Sequence, residues 1–257
     1  MSEQVFENPA VKASVHDDFV AVVSLCNPPN NHFSLDQIGG VADALAVLDD
    51  DDRCRSVLLV AEGKHFCAGA DFGGDRTYTT DDLYAAAARI FENAKPIVAT
   101  VQGAAIGGGM GLALSADFRY AAPEARFSAN FARLGFHQGF GLSATLPRLV
   151  GPQLTADLLY TGRRVKGDEA VQIGLADKLV PLDDLRDEAH AFAREIAISA
   201  PLAVTSIRKT LRGDLAAQVV AATSHEAVEQ ERLRATADFA EGTLAMGERR
   251  EPKFTGK

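Results

Sequence analysis

An α/β fold with a helical C-terminal part is the architecture the sequence predicts, and three observations carry it. First, "RSVLLVAEG" and "PIVATVQG" are continuous apolar runs of strand length, the pattern of strands buried on both faces. Second, each run leads into a turn of small residues and then into helical spacing, so strand, turn and helix recur. The turns are Ala68-Gly69-Ala70-Asp71 and the glycines of "QGAAIGGGMGLALSAD", Gln102 to Asp117. Third, from Leu182 onward the pattern is almost wholly helical and ends in the amphipathic stretch "LAAQVVAATSHEAVEQERLRATADFAEG".

Taken in order, "KASVHDDFVAVVSLCNPP" reads as two short strands around a His16-Asp17-Asp18 turn. "LDQIGGVADALAVLDDDD" has helical spacing and closes in a solvated acidic end. "RSVLLVAEG" is the first buried strand, and "TTDDLYAAAARIFENAK" opens with a good N-cap and continues as a helix. "PIVATVQG" is the next buried strand, followed by the glycines and the apolar helix "MGLALSAD". "FRYAAPEARFS" reads as one more strand and turn. Pro201 marks a boundary between a core, residues 1–200, and a helical C-terminal region, residues 201–257, that packs on its own core or on a neighbouring subunit.

The composition bounds the function. A chain of 257 residues, 47% apolar, holds one large domain or one domain with an appendage. The net charge of −9 argues against a nucleic-acid surface. Cys26, Cys54 and Cys67 have no CxxC spacing, which suits reduced thiols in a cytoplasm. The start "MSEQVFENPA" has neither the basic nor the apolar region of a signal peptide, so a cytoplasmic location is expected.

Gly107, Gly108, Gly109 and Gly111 lie in a stretch with no charge between Lys95 and Asp117. Its length allows a membrane span, but the glycines, the β-branched Val98, Thr100 and Val101, and the central Gln102-Gly103 favour a strand followed by a helix. A phosphate loop needs Lys-Ser/Thr after the last glycine, and here Met110 and Gly111 follow the triplet. What remains is a glycine turn at a helix N-terminus, where unpaired N–H groups and the helix dipole favour negative charge. A developing oxyanion fits there; a tight packing turn is the alternative. Two such turns could each offer one amide to a single oxygen.

"HFCAGADF", "KPIVATVQGAAIGGGMGLALSADFRYAAPEARFS" and "LPRLVGPQLTADLLYTGRRVKGDEAVQIGLADKLV" resemble the signature segments of the crotonase (enoyl-CoA hydratase/isomerase) superfamily in order and spacing. "NPPNNHFSL" near the start and "GERREPKF" near the end extend the likeness. The resemblance implies a crotonase-type spiral of ββα units with a C-terminal helical trimerisation region, assembling as a homotrimer or a dimer of trimers. It implies an acyl-CoA thioester substrate whose carbonyl is held by two backbone amides, assigned here to Ala68 and Gly108. Asn30 and the segment Ala68, Gly69, Ala70 and Asp71 line the coenzyme A path. No metal is implied, and no cofactor beyond the coenzyme A of the substrate.

Hydratases of this family carry one glutamate in a "GGGxE" pattern and another in a "QPE" segment. Those positions here are Gly111 and Phe131, so the resemblance puts ordinary hydration in doubt. Substitutes are sought in "FSANFARLGFHQGFGLSATLPRLVG", where His137 is the first candidate base and Asn130 could orient a water or a carbonyl. A hydrogen-bonded structural role is the alternative for His137. Phe131 and Phe140 make the pocket apolar or belong to the core. His32 stands where the family has a small residue, and reads as a solvent-edge histidine. His65 reads as exposed and Asp117 as structural, while His225 and Glu226 could reach a site only in a neighbouring subunit.

The function so implied is an acyl-CoA-processing lyase or isomerase that stabilises a thioester enolate. Isomerisation, C–C hydrolysis, decarboxylation and atypical hydration all remain open. A non-catalytic acyl-CoA-binding protein of the same fold is the rival reading.

Overall fold

The computed structural model describes residues 2–70 and 78–257. Its strands are β1 (Ser2–Glu7), β2 (Val11–His16), β3 (Val20–Leu25), β4 (Ser56–Ala61) and β5 (Ile97–Val101), then β6 (Ala104–Ile106), β7 (Phe118–Ala121), β8 (Arg126–Ser128), β9 (Val165–Lys166) and β10 (Lys178–Leu179). The helices of the first part are α1 (Leu35–Asp49), α2 (Thr80–Glu92), α3 (Gly108–Ser115), α4 (Leu142–Thr161) and α5 (Gly167–Gln172). Four more close the chain: α6 (Leu185–Ala197), α7 (Pro201–Arg212), α8 (Leu215–Arg234) and α9 (Ala237–Glu248).

A seven-stranded sheet runs in the order β1-β2-β3-β4-β5-β7-β10. The first three strands meander antiparallel, and from β3 onward every pairing is parallel. Every residue of β4 and β5 is buried, as continuous apolar runs require when both faces of a strand are covered. Helix α2 begins with a capping box: the Thr79 hydroxyl accepts from Asp82 N, and the Asp82 carboxylate accepts from Thr79 N.

Beyond the ends of β4 and β5 the chain turns into a second layer. Strands β6, β8 and β9 form a small sheet, and two isolated parallel bridges, Phe33 with Ala70 and Cys67 with Ala105, extend it towards the N-terminal side. Successive strand–strand–helix turns of the chain thus stack side by side, in line with the expected spiral. The segment "FRYAAPEARFS", expected as one strand and a turn, contains two strands in different sheets, β7 in the large one and β8 in the small one. Strand β1 was not anticipated either.

The C-terminal helices are built into the core. Leu185, Ala189, Ala193 and Ala197 of α6 pack on Val20, Leu58, Val60 and Val98 of the large sheet. Asp117, expected to be structural, accepts from Ile97 N at 2.8 Å, from Arg208 Nε at 2.8 Å and from Arg212 Nη1 at 3.0 Å, which pins α7 to the start of β5. Glu226, which on the sequence could reach a site only in a neighbouring subunit, is fully buried within its own chain. Its carboxylate accepts from Gly141 N, Ser143 N and Ser143 Oγ at 2.8, 3.1 and 2.6 Å, so it caps the N-terminus of α4 from helix α8. Among the described residues no helix is long and apolar enough to cross a membrane.

Candidate active site

The two small-residue turns meet because the second layer pairs them. Cys67 N donates to Ala104 O at 2.9 Å and Ile106 N donates to Cys67 O at 3.0 Å. The chain leaves this ladder on one side through Ala68-Gly69-Ala70 and on the other through Gly107-Gly108. Gly107 has a φ of +56°, a left-handed value that glycine adopts without penalty, and its amide is anchored to Ser128 O at 2.8 Å. Helix α3 starts at the next residue. Gly108 N therefore has no intrahelical acceptor, and it has no hydrogen-bond partner among the described residues. A Cβ at Gly108 would lie 2.7 Å from the Phe33 ring; close backbone approach is what the glycine provides here.

On the other turn the structure corrects the expected donor. The Ala68 amide donates to Asn30 O at 2.9 Å, and the Gly69 amide lies against the buried Cys67 sulfur. Ala70 N is the amide of this turn left without a partner among the described residues. Gly69, at a φ of +96°, makes the reversal between the two alanines. Asp71, expected on the same path, lies outside the described residues.

Both turns open into one cleft of about 620 Å³, whose lining includes Ala68, Gly69, Ala70, Gly107, Gly108 and Asn130, a volume ordinary for a small-molecule site. Asn130 is half-buried, and its Oδ1 would stand 3.7 Å from a Cβ on Gly107. Asn30 does not line the cleft; it stands behind it, where its carbonyl holds Ala68 and its side chain meets His32 Nε2 at 3.1 Å. His32, expected at the solvent edge, is half-buried and its ring lines the cleft.

Gly111 and Phe131, where the resemblance would place the two glutamates, stand in apolar, filled surroundings. A Cβ on Gly111 would meet Phe140 Cδ1, Cβ and Cγ at 2.6, 2.7 and 2.8 Å. Phe140 is 1% exposed, has a φ of +62° and packs edge-on against Phe33. Phe131 is buried and makes an edge contact with Phe136, which in turn meets Phe239 of α9. Phe131 and Phe140 thus belong to the core and wall the cleft at the same time.

His137, the first candidate base, is not among the cleft-lining residues. Its Nδ1 donates to Gln138 O at 2.9 Å and its ring meets His225 edge-on at 5.7 Å. These contacts fit the structural alternative for this ring. His65 is half-buried, and its Nδ1 accepts from Ala104 N at 3.2 Å. Burial, with help from the Arg126 and Lys64 charges, holds its pKa below the usual 6.5. The Cys67 thiol behind the turn is pushed up to about 12 by burial, so it is an inert part of the wall.

Tyr84, Gln230, Arg234 and Phe239 also line the cleft, and no motif pointed to them. Burial foremost, and then the Glu226 charge, push the Tyr84 phenol above its usual range, so it stays protonated. Arg234 stacks over Phe136 and Phe239 with its guanidinium carbon 5.2 and 5.4 Å from the ring centroids. These residues come from α2, α8 and α9, far from the turns in sequence, and only packing brings them together.

The family model described as enoyl-CoA hydratase/isomerase matches residues 16–257. A putative enoyl-CoA hydratase of Thermus thermophilus is 35% identical over 254 residues, covering 93% of this chain and 99% of its own. The crotonyl-CoA hydratase of Syntrophomonas wolfei is 33% identical over 235 residues, covering 88% and 90%. The crystal structure of an enoyl-CoA hydratase/isomerase from Pseudoalteromonas atlantica superposes with a TM-score of 0.86 at 31% identity, over 96% of this chain and 100% of that one. With the two turns, the second layer and the helical C-terminal region as the spiral requires, the chain belongs to the enoyl-CoA hydratase/isomerase family.

Proposed function

We propose that the protein is an acyl-CoA enzyme that holds a thioester oxygen between the amides of Ala70 and Gly108 and stabilises the enolate formed there. The observation that carries this reading is that both N–H groups lack a partner among the described residues and both residues line one cleft. Donors preorganised at a site of developing charge are worth about 10²–10³ in rate each. The dipole of α3 adds to the Gly108 amide at the helix N-terminus. Asn130, beside Gly107, is placed to orient a water or a second carbonyl but cannot act as a base.

Hydration by a pair of carboxylates is not the reaction we assign. Phe140 fills the space beside Gly111, and the Phe131 ring stands where the resemblance places the second glutamate. Acid/base groups contribute about 10²–10⁴ in rate, so crotonyl-CoA should be hydrated slowly. An enolate reached by isomerisation, C–C hydrolysis or decarboxylation uses the same two amides. The aromatic wall suits a bulky or alicyclic acyl group.

Incubation with a panel of CoA thioesters, followed by mass and by absorbance of the conjugated double bond, tests the reading. Turnover of a branched or cyclic thioester, with crotonyl-CoA at a small fraction of that rate, is expected. Crotonyl-CoA hydration at an ordinary enzyme rate, about 10 s⁻¹ or more, contradicts it. So does an absence of turnover with measurable binding, which supports the acyl-CoA-binding alternative.

Assembly into a trimer or a dimer of trimers is part of the same proposal. Leu202, Ile207 and Leu211 of α7 are 85%, 58% and 74% exposed, and covering them in an assembly would remove apolar surface from water. A monomer by light scattering at micromolar concentration contradicts it.

A further inference from the structure

We propose that His32 is a positioning residue that strengthens the Ala70 amide as a donor to the thioester oxygen, acting through the peptide group that joins Gly69 to Ala70. The inference rests on the oxyanion reading above and goes beyond it, because the backbone turn needs no side chain to present its N–H.

The geometry is a relay. Gly69 O accepts from Phe33 N at 3.0 Å, and His32 Nδ1 lies 3.2 Å from the same oxygen. A carbonyl oxygen only accepts, so Nδ1 carries the proton. Nε2 is then an acceptor, and it faces Asn30 Nδ2 at 3.1 Å. The two contacts give each ring nitrogen one role and hold the ring in place. Asn30 is itself tied to the turn, since its carbonyl accepts from Ala68 N at 2.9 Å.

The carbonyl and the N–H of one trans peptide point in opposite directions and share one delocalised electron system. Two donors on Gly69 O draw density from the peptide and make the Ala70 hydrogen more positive, the cooperative strengthening known for hydrogen-bond chains. They also help to fix the plane of the peptide, next to a glycine whose φ of +96° makes the turn. His32 thereby adds to the oxyanion site without touching the substrate carbonyl. The Phe33 bond is a backbone contact that any residue would make; the His32 bond depends on the side chain at that position.

The size of the effect follows from the chain. Cooperative strengthening of about 10–30% per bond, applied to a donor worth about two to three decades in kcat, gives roughly a two- to eightfold loss of kcat when the bond is removed. KM should change less than twofold, since the gain belongs to the charged transition state.

The test uses butyryl-CoA labelled with ¹³C at the thioester carbonyl, a saturated probe, and infrared difference spectroscopy on the complex. In the wild-type protein the carbonyl band should fall below its position in free butyryl-CoA. In His32→Ala part of that displacement should be lost, and kcat for the best substrate of the thioester panel should fall as stated. In His32→Asn, whose amide nitrogen can stand where Nδ1 stands, the displacement and kcat should return. Should His32→Ala not fold, His32→Gln, whose amide stands nearer the Nε2 position, serves as the variant expected to lose the displacement while His32→Asn keeps it. A band displaced in the wild type and equally displaced in His32→Ala or His32→Gln overturns the role of His32 and leaves the oxyanion site intact. A band undisplaced in the wild type overturns the oxyanion reading itself, and the relay with it.

Discussion

Adding a single methyl group at Gly111 sets two effects of known size against each other. Gly111 lies inside α3, where replacing glycine by alanine ordinarily stabilises a helix by about 1 kcal/mol. Here the new Cβ would stand 2.6–2.8 Å from Phe140 Cδ1, Cβ and Cγ. One of those atoms is the Phe140 Cβ, which no side-chain rotation moves away. Phe140 is also 1% exposed and held by its backbone between Gly139 and the start of α4. Overpacking of this kind costs about 1–3 kcal/mol, and the near-backbone contact places it towards the upper end. Gly111→Ala should therefore destabilise the protein by about 1 kcal/mol or more in urea unfolding at fixed protein concentration. In a Phe140→Gly background, itself weakened by about 3–5 kcal/mol through loss of the ring, the same change should become stabilising. A coupling of about 1–3 kcal/mol between the two sites is the expected outcome of the double-mutant cycle. Stabilisation by Gly111→Ala in the wild-type background would refute the claim that Phe140 fills this space.

His137→Ala should leave turnover of the best thioester within about twofold, since its ring sits on His225 and Gln138 O outside the cleft lining; a hundredfold loss would return it to the chemistry. Asp117→Asn should destabilise the fold by about 3–5 kcal/mol, because it leaves the Arg208 and Arg212 guanidinium groups, both largely buried, without their shared carboxylate. A loss below about 1 kcal/mol in denaturant unfolding would contradict that, this being the level of an exposed pair. The His65 pKa is depressed in the folded protein, so the unfolded chain binds its proton more readily. Its contribution is full above the unfolded value near 6.5 and is lost as pH falls through the folded one. An NMR titration midpoint at or above 6.5 would oppose this.

Much of the fold was readable because burial on both faces writes itself as continuous apolar runs, as in β4 and β5, and because Thr79 and Asp82 spell out a helix start. Strand β1 was not, since its largely exposed residues carry no apolar alternation and its backbone pairs with β2 alone among the described strands. Strand β6 was hidden inside the glycine stretch. It is three residues long and exists through pairing with β8 and a bridge to Cys67, partners that local pattern does not reveal. At the site, glycine content pointed to the Gly108 turn. Which amide of "AGAD" is unpaired depends on Asn30 O, 38 residues earlier than Ala68 in the chain by number alone, and the sequence cannot display that contact. The loop of His137 was found, but the direction of its ring is set by Gln138 O and by α8. Tyr84 and Arg234 join the cleft through helix packing alone.

The most direct measurement is a crystal structure with butyryl-CoA bound. The thioester oxygen should lie within hydrogen-bonding distance, about 2.7–3.1 Å, of both Ala70 N and Gly108 N, with Ala68 N still on Asn30 O and the acyl chain running towards Phe131 and Phe140. A thioester oxygen bound away from either amide, or held by Ala68 N after release from Asn30, would contradict the assignment of the oxyanion site.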